Sequence, residues 1–200
     1  MTERIDVVNL ALTWLGEDVV TSLEDDLDRA RIMKVNYLPA RDATLEAHDW
    51  SFAILRFEPP LNATPPVYGA GQAFDVPPEI LRIISVSLPD TNANAAFVSP
   101  IDSLPQIDWL FERGQVICNE EVIFCRGSQR VDEEGRFSPL FVHAFAAKLA
   151  YLCAVALTAS LDSQANMLAL YSEFILEAKS RDGLQGRSRR LRQRTLSQVR

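Results

Sequence analysis

Histidine is almost missing from this chain: His48 and His143 are the only two in 200 residues. Cysteine is scarce as well. Cys118, Cys125 and Cys153 make an odd number without the spacing of a disulfide framework, which predicts reduced, buried thiols in an intracellular protein. A metal centre needs several His, Cys or carboxylate ligands at workable spacing. Cys118 and Cys125 are seven positions apart with no histidine near them in sequence, so no metal is expected. The acidic clusters EDDLD (24–28) and DEE (132–134) lack the central glycine and terminal glutamate of a calcium loop. They predict helix-start charge and a solvated turn.

Motifs that bind phosphate or activate a nucleophile are also missing. There is no Gly-x-x-x-x-Gly-Lys and no Gly-x-Gly-x-x-Gly. The nearest run, YGAGQAF (68–74), sits in a proline-rich stretch rather than between a strand and a helix, so no nucleotide cofactor is expected. His48 with Asp49 has the makings of an oriented base, but no Gly-x-Ser-x-Gly elbow or marked cysteine nucleophile accompanies it. No catalytic, cofactor-binding or metal-binding residue is assigned, and the chain is not expected to be an enzyme. The opening MTERIDVVNLAL carries charges where a signal peptide needs its apolar run, so export is not expected. PLFVHAFAAKLAYLCAVALTA (139–159) is long enough for a membrane span. Lys148 at its centre and His143 make that costly, and its many alanines suit a buried helix in a soluble protein.

What is present is apolar residue, 48% of the chain, ample for a hydrophobic core. The helical signals come first. Ile5, Val8, Leu12 and Leu15 share a face and Gly16 follows as a stop. A second helix is predicted from Ser22 as N-cap, with Asp25 in its first turn; Pro39 either kinks it or begins a third helix reaching about Ala47. Six prolines between 58 and 79 predict an irregular loop. Strands are predicted at 53–57, 80–88, 107–112, 115–119 and 122–126, the last three as an antiparallel meander joined by hairpin-length turns. Ser138-Pro139 predicts a capped helix to about Thr158. Another, from about Asp162, carries Met167, Leu168, Tyr171, Phe174, Ile175 and Ala178 as its stripe and ends near Lys179 and Arg181, before Gly183.

The expected fold is α+β: one domain over 1–182, mainly a helical bundle (1–50 and 138–182) with a small antiparallel β subdomain inserted at about 51–137. A flexible arginine-rich tail, 183–200, follows. HDWSFAILRFEPP (48–60) marks the handover from helix to strand, where Trp50 and Phe52 are expected to plug the seam between bundle and insert. With only Arg56 nearby, base stacking by these rings is not expected. The tail RSRRLRQRTLSQVR holds Arg187, Arg189, Arg190, Arg192, Arg194 and Arg200 and no acid, on a chain of net charge −7. Without those six arginines the chain has 14 basic and 27 acidic residues, a net charge of −13.

Three stretches, NLALTWLGEDVVTSLEDDLDRA (9–30), YLPARDATLEAHDWSFAILR (37–56) and PPEILRIISV (77–86), resemble the tail tubular protein A family. These are the head-to-tail adaptor proteins of podoviruses and related tailed bacteriophages. The likeness runs through Leu12, Leu15-Gly16-Glu17, Ser22-Leu23, Ala30, Tyr37, Arg41-Asp42, Leu45, Trp50, Phe52-Ala53 and Arg56, in order. It covers the first 90 residues; the remainder is similar in its order of elements. The resemblance implies a non-enzymatic virion protein, assembled in the host cytoplasm into the neck or tail. Copies form a ring, usually of twelve, between the portal protein and the next tail or nozzle protein, and genomic DNA passes through without sequence-specific binding. It implies no membrane partner. It further implies that the C-terminal arginines dock on the portal, folding on contact, with direct binding of DNA phosphates as the competing use. The second functional reading is a non-viral nucleic-acid-associated protein whose tail binds DNA.

Overall fold

A computed structural model describes residues 2–88 and 107–185 of the chain. Four helices carry its larger core: α1 (Arg4–Leu15), α2 (Asp28–Glu46), α3 (Pro139–Thr158) and α4 (Leu161–Gln185). Between α2 and α3 the described residues form six strands: β1 (Ile54–Phe57), β2 (Gln72–Asp75), β3 (Ile80–Ser87), β4 (Leu110–Glu112), β5 (Gln115–Cys118) and β6 (Phe124–Gln129). The fold is α+β, helices and strands segregated along the chain and in space.

The helices form for reasons visible in the residues. Gly16 takes the left-handed conformation (φ 77°), and the amides of the cap return to the Leu12 and Thr13 carbonyls to stop α1. Ser138 caps α3, its hydroxyl accepting from the Phe141 amide, with Pro139 at the first helical position. By length and composition α3 is able to cross a membrane; here α1, α2 and α4 all pack against it. Phe141, Ala144, Phe145, Leu149, Ala150 and Cys153 are among its fully buried positions. The alanines let neighbouring backbones come close, and Phe145 meets Tyr37 of α2 edge-on at 5.0 Å. Lys148 lies over the rings of Tyr151 and Tyr171, 5.1 Å from each, which keeps its charge on the rim of that core.

Five local expectations need correction. The second helix begins at Asp28 rather than at Ser22, because the Asp25 carboxylate accepts from the Thr21 and Ser22 amides and the Thr21 hydroxyl, closing a turn of its own. Pro39 sits inside a single helix, α2, and does not begin a third one. The bond it forfeits belongs to the carbonyl of Val35, an exposed position on the solvent side of the helix. Helix α4 runs through Gly183 to Gln185, past the stop the sequence suggested; Asp182, tied to Ser51, holds this last turn down. Residues 72–75, inside the expected proline-rich loop, form β2. The run is too short to show alternation, and pairing with β5, which buries Phe74, decides its state.

The expected meander also fails. β4 and β5 do form a hairpin, turning at Arg113 and Gly114, both with positive φ (53° and 77°). β6, however, leaves for a different sheet. The two sheets have the orders β1-β6-β3 and β2-β5-β4, all antiparallel. Phe74, Val116 and Cys118 from one, and Val86 and Cys125 from the other, share a second hydrophobic core with Ile123. Extending the hairpin into β6 would place β5 and β6 side by side; switching sheets lets their inward residues face one another.

Gly127, in the middle of β6, leaves no room for a side chain. A Cβ there would meet Ile80 Cγ2 at 2.9 Å and the Arg82 carbonyl oxygen at 3.1 Å. Gly127→Ala is therefore expected to destabilise the fold by about 1–3 kcal/mol through overpacking, read as a lower urea midpoint with an unchanged slope.

Candidate functional site: the junction of helices and sheets

The chain leaves α2 at Ala47 and enters β1 at Ile54, and this short passage holds Trp50 and Phe52. Trp50 is fully buried; its indole N–H donates to the Thr44 carbonyl at 2.9 Å. Its ring meets Phe141 edge-on at 5.0 Å and lies nearly parallel to Phe52 at 6.0 Å. Phe52 in turn meets Phe137 and Phe141. Both rings belong to the helical core, Trp50 within it and Phe52 against it. The sheet core has its own aromatic members, Phe74 inside and Phe57 and Trp109 alongside.

Charge binds the two parts as well. Arg41 of α2 is almost fully buried, yet carries a guanidinium that accepts no loss of hydration without partners. It pairs with Asp42 at 2.9 Å and with Asp132, beyond β6, at 2.5 Å. Arg130 reaches back to the other oxygen of Asp42 at 2.9 Å. The Tyr37 hydroxyl donates to Glu134 at 3.0 Å, and Arg4 pairs with the same carboxylate at 3.3 Å. Burial and the adjacent Glu134 charge push the Tyr37 phenol well above its ordinary range. Arg82 of β3 pairs with Asp49, and Arg136 donates to the Phe52 carbonyl. Arg41 and Asp42 stand in the sequence as an ordinary mid-helix pair. Their partners lie about ninety positions away, and no local pattern announces them.

His48 does not pair with Asp49. Its Nε2 faces Asp182 of α4 at 3.4 Å, while the Ser51 hydroxyl donates to the same carboxylate at 2.6 Å. A nucleophilic triad needs the imidazole between hydroxyl and acid. Here the acid stands between hydroxyl and imidazole, a geometry that fastens α4 to the passage at Ser51 without priming the serine. His143 packs against Trp14 and Phe174. Burial raises the Cys118 thiol above its ordinary range and pushes Cys125 and Cys153 up to about 12, which disfavours the nucleophilic thiolate. Among the described residues no group of three or more His, Cys, Asp or Glu converges as a metal site. Arg187, Arg189, Arg190, Arg192, Arg194 and Arg200 lie outside the described residues.

Compared with protein-family models and with curated proteins, the chain finds no match.

Two outcomes follow from the junction. Trp50→Ala is expected to cost about 3–5 kcal/mol, the range for truncating a buried tryptophan, measured by chemical denaturation. The thiols give a pH signature. Cys125 and Cys153 have folded values near 12, above an ordinary 9. Their contribution is complete below pH 9 and is lost as pH rises from 9 towards 12, because the unfolded thiols release protons first. Stability is expected to fall over that window, and Cys153→Ala to flatten the fall once compared with its own neutral-pH value.

Proposed function

We propose that this chain is a structural virion protein, a head-to-tail adaptor. Twelve copies form a ring between portal and tail and continue the DNA channel. The observation that carries the reading is the ordered series of residues from Leu12 to Arg56 that resembles the tail tubular protein A family. In this fold the series is concentrated in the helical core and its junction. Leu12, Ala30, Tyr37, Arg41, Leu45, Trp50 and Ala53 are all buried. A likeness carried by core positions speaks for a shared fold, and an adaptor's function resides in its shape and surfaces rather than in reacting groups.

Electrostatics supports the same reading. The described residues hold 14 basic and 25 acidic side chains, a net charge of −11. A conduit of that sign repels passing phosphates and lets DNA slide. The six tail arginines then serve a protein partner, since a guanidinium forks onto carboxylates with paired hydrogen bonds. The competing reading, a nucleic-acid-associated protein of non-viral origin, is favoured by the same arginines, which suit DNA phosphates equally.

Removing residues 187–200 separates the two. The melting temperature is expected to stay within about a degree. Affinity for purified portal rings from the same genome is expected to fall at least about tenfold, roughly 1.4 kcal/mol. Lysine at positions 189, 190, 192 and 194 keeps the charge and loses the fork; it is expected to weaken portal binding clearly while barely changing DNA binding. If the deletion spares portal binding and abolishes a steeply salt-dependent affinity for duplex DNA, the tail is a DNA arm.

A further inference from the structure

The proline-rich loop before β2 carries at its tip two large side chains that belong to neither core. Residues 59–74 contain no charged side chain, on a chain that is 24% charged. The stem of the loop is held at both ends. The Asn62 backbone amide donates to the Ala73 carbonyl at 2.8 Å, and its side-chain amide donates to both oxygens of Asp75 at 3.0 Å. The Thr64 amide donates to Asn62 Oδ1 at 2.8 Å, and the Gly71 amide to Asn119 Oδ1 at 2.9 Å. Between these anchors runs Pro65-Pro66-Val67-Tyr68. Val67 is 99% exposed and Tyr68 88%, the two most exposed large apolar side chains among the described residues. Gly69 follows with φ 92°, and a Cβ there would meet nothing within 4 Å. The tip stands clear of the body.

We infer that Pro65-Pro66-Val67-Tyr68 is a docking ligand for an aromatic-lined groove that binds polyproline II backbone, the kind a WW domain carries, on a partner protein. Each proline fixes its own φ at about −65°, and each residue before a proline is confined to extended or polyproline II backbone. Thr64 and Pro65 both precede a proline. The stretch is therefore set before any partner arrives, and little ordering entropy remains to be lost on binding. Proline rings pack between the aromatic side chains of such a groove, and the exposed tyrosine brings a ring and a hydroxyl to an adjoining pocket. The chain contains no Pro-x-x-Pro, which argues against the SH3 type of groove. Lack of charge selects among partner classes as well. Nucleic acid and anionic membrane surfaces are both bound through cations. The loop offers none, and Glu58 and Asp75 border it. The inference goes beyond the adaptor reading and does not depend on it.

The test is calorimetric titration of the full chain with a purified WW domain, and with a purified SH3 domain in parallel. Saturable binding to the WW domain is expected, and none to the SH3 domain. Y68A is expected to weaken it at least about tenfold, the loss typical of an interface anchor, and P65A/P66A likewise. V67A, between the prolines and the tyrosine, is expected to change it less than about twofold. Y68A and V67A are expected to keep the wild-type melting temperature, since neither side chain belongs to a core. No saturable binding to the WW domain overturns the inference, as does binding that Y68A and P65A/P66A leave unchanged. Tyr68-dependent flotation with phosphatidylcholine vesicles, without WW binding, makes the tip a membrane anchor and overturns it too. Tyr68-dependent self-association in sedimentation, without WW binding, makes it a contact between copies and does the same. Portal capture is scored separately. Capture without WW binding leaves the adaptor reading standing and removes this ligand; WW binding without capture does the reverse.

Discussion

Everything in this fold is arranged around the need to cover α3. A twenty-residue helix that is apolar on most of its circumference has no stable place in water until other elements surround it. Helices α1 and α2, from the start of the chain, and α4, from its end, supply that cover. The burial of Phe141, Phe145 and Leu149 therefore fixes the topology. The chain must leave the helical layer after α2 and return for α3, and the strands in between are held outside as a second body with its own small core. Stability is concentrated in the helical part, since the sheets are of three strands each and short.

A second body hanging on two chain crossings would swing unless it were fastened. The fastening is aromatic at one crossing and electrostatic at the other. Trp50 and Phe52 seat the outgoing crossing in the helical core. Arg41, Asp42, Arg130 and Asp132 clamp the returning one, with one guanidinium almost wholly buried. Breaking a buried pair leaves an uncompensated charge, so such a clamp is better at fixing geometry than at adding stability. The adaptor ring proposed above would need that property, because neighbours meet in the right register only if helical and β parts keep their relative placement.

The sequence showed what is local and concealed what is not. Gly16 and Ser138-Pro139 were legible because a cap is decided by three or four adjacent residues. The tolerance of Pro39 was not, since it depends on which side of α2 faces water. β2 escaped notice because four residues among prolines have no period to read. The switch of β6 between sheets depends on which core its alternate residues find, a fact of tertiary structure. At the junction, Trp50 and Phe52 drew attention as large rings at a boundary. Asp182, which binds Ser51 and faces His48, sits 131 positions from Ser51 and had no local signal at all.

The measurement that bears most directly on the adaptor account is electron microscopy of the purified chain mixed with purified portal rings from the same genome. The account predicts a second ring of the same symmetry as the portal's lower face, stacked coaxially on it, with one copy of this chain for each of twelve positions. Portal particles indistinguishable from those without the chain, at concentrations well above any plausible affinity, would contradict it.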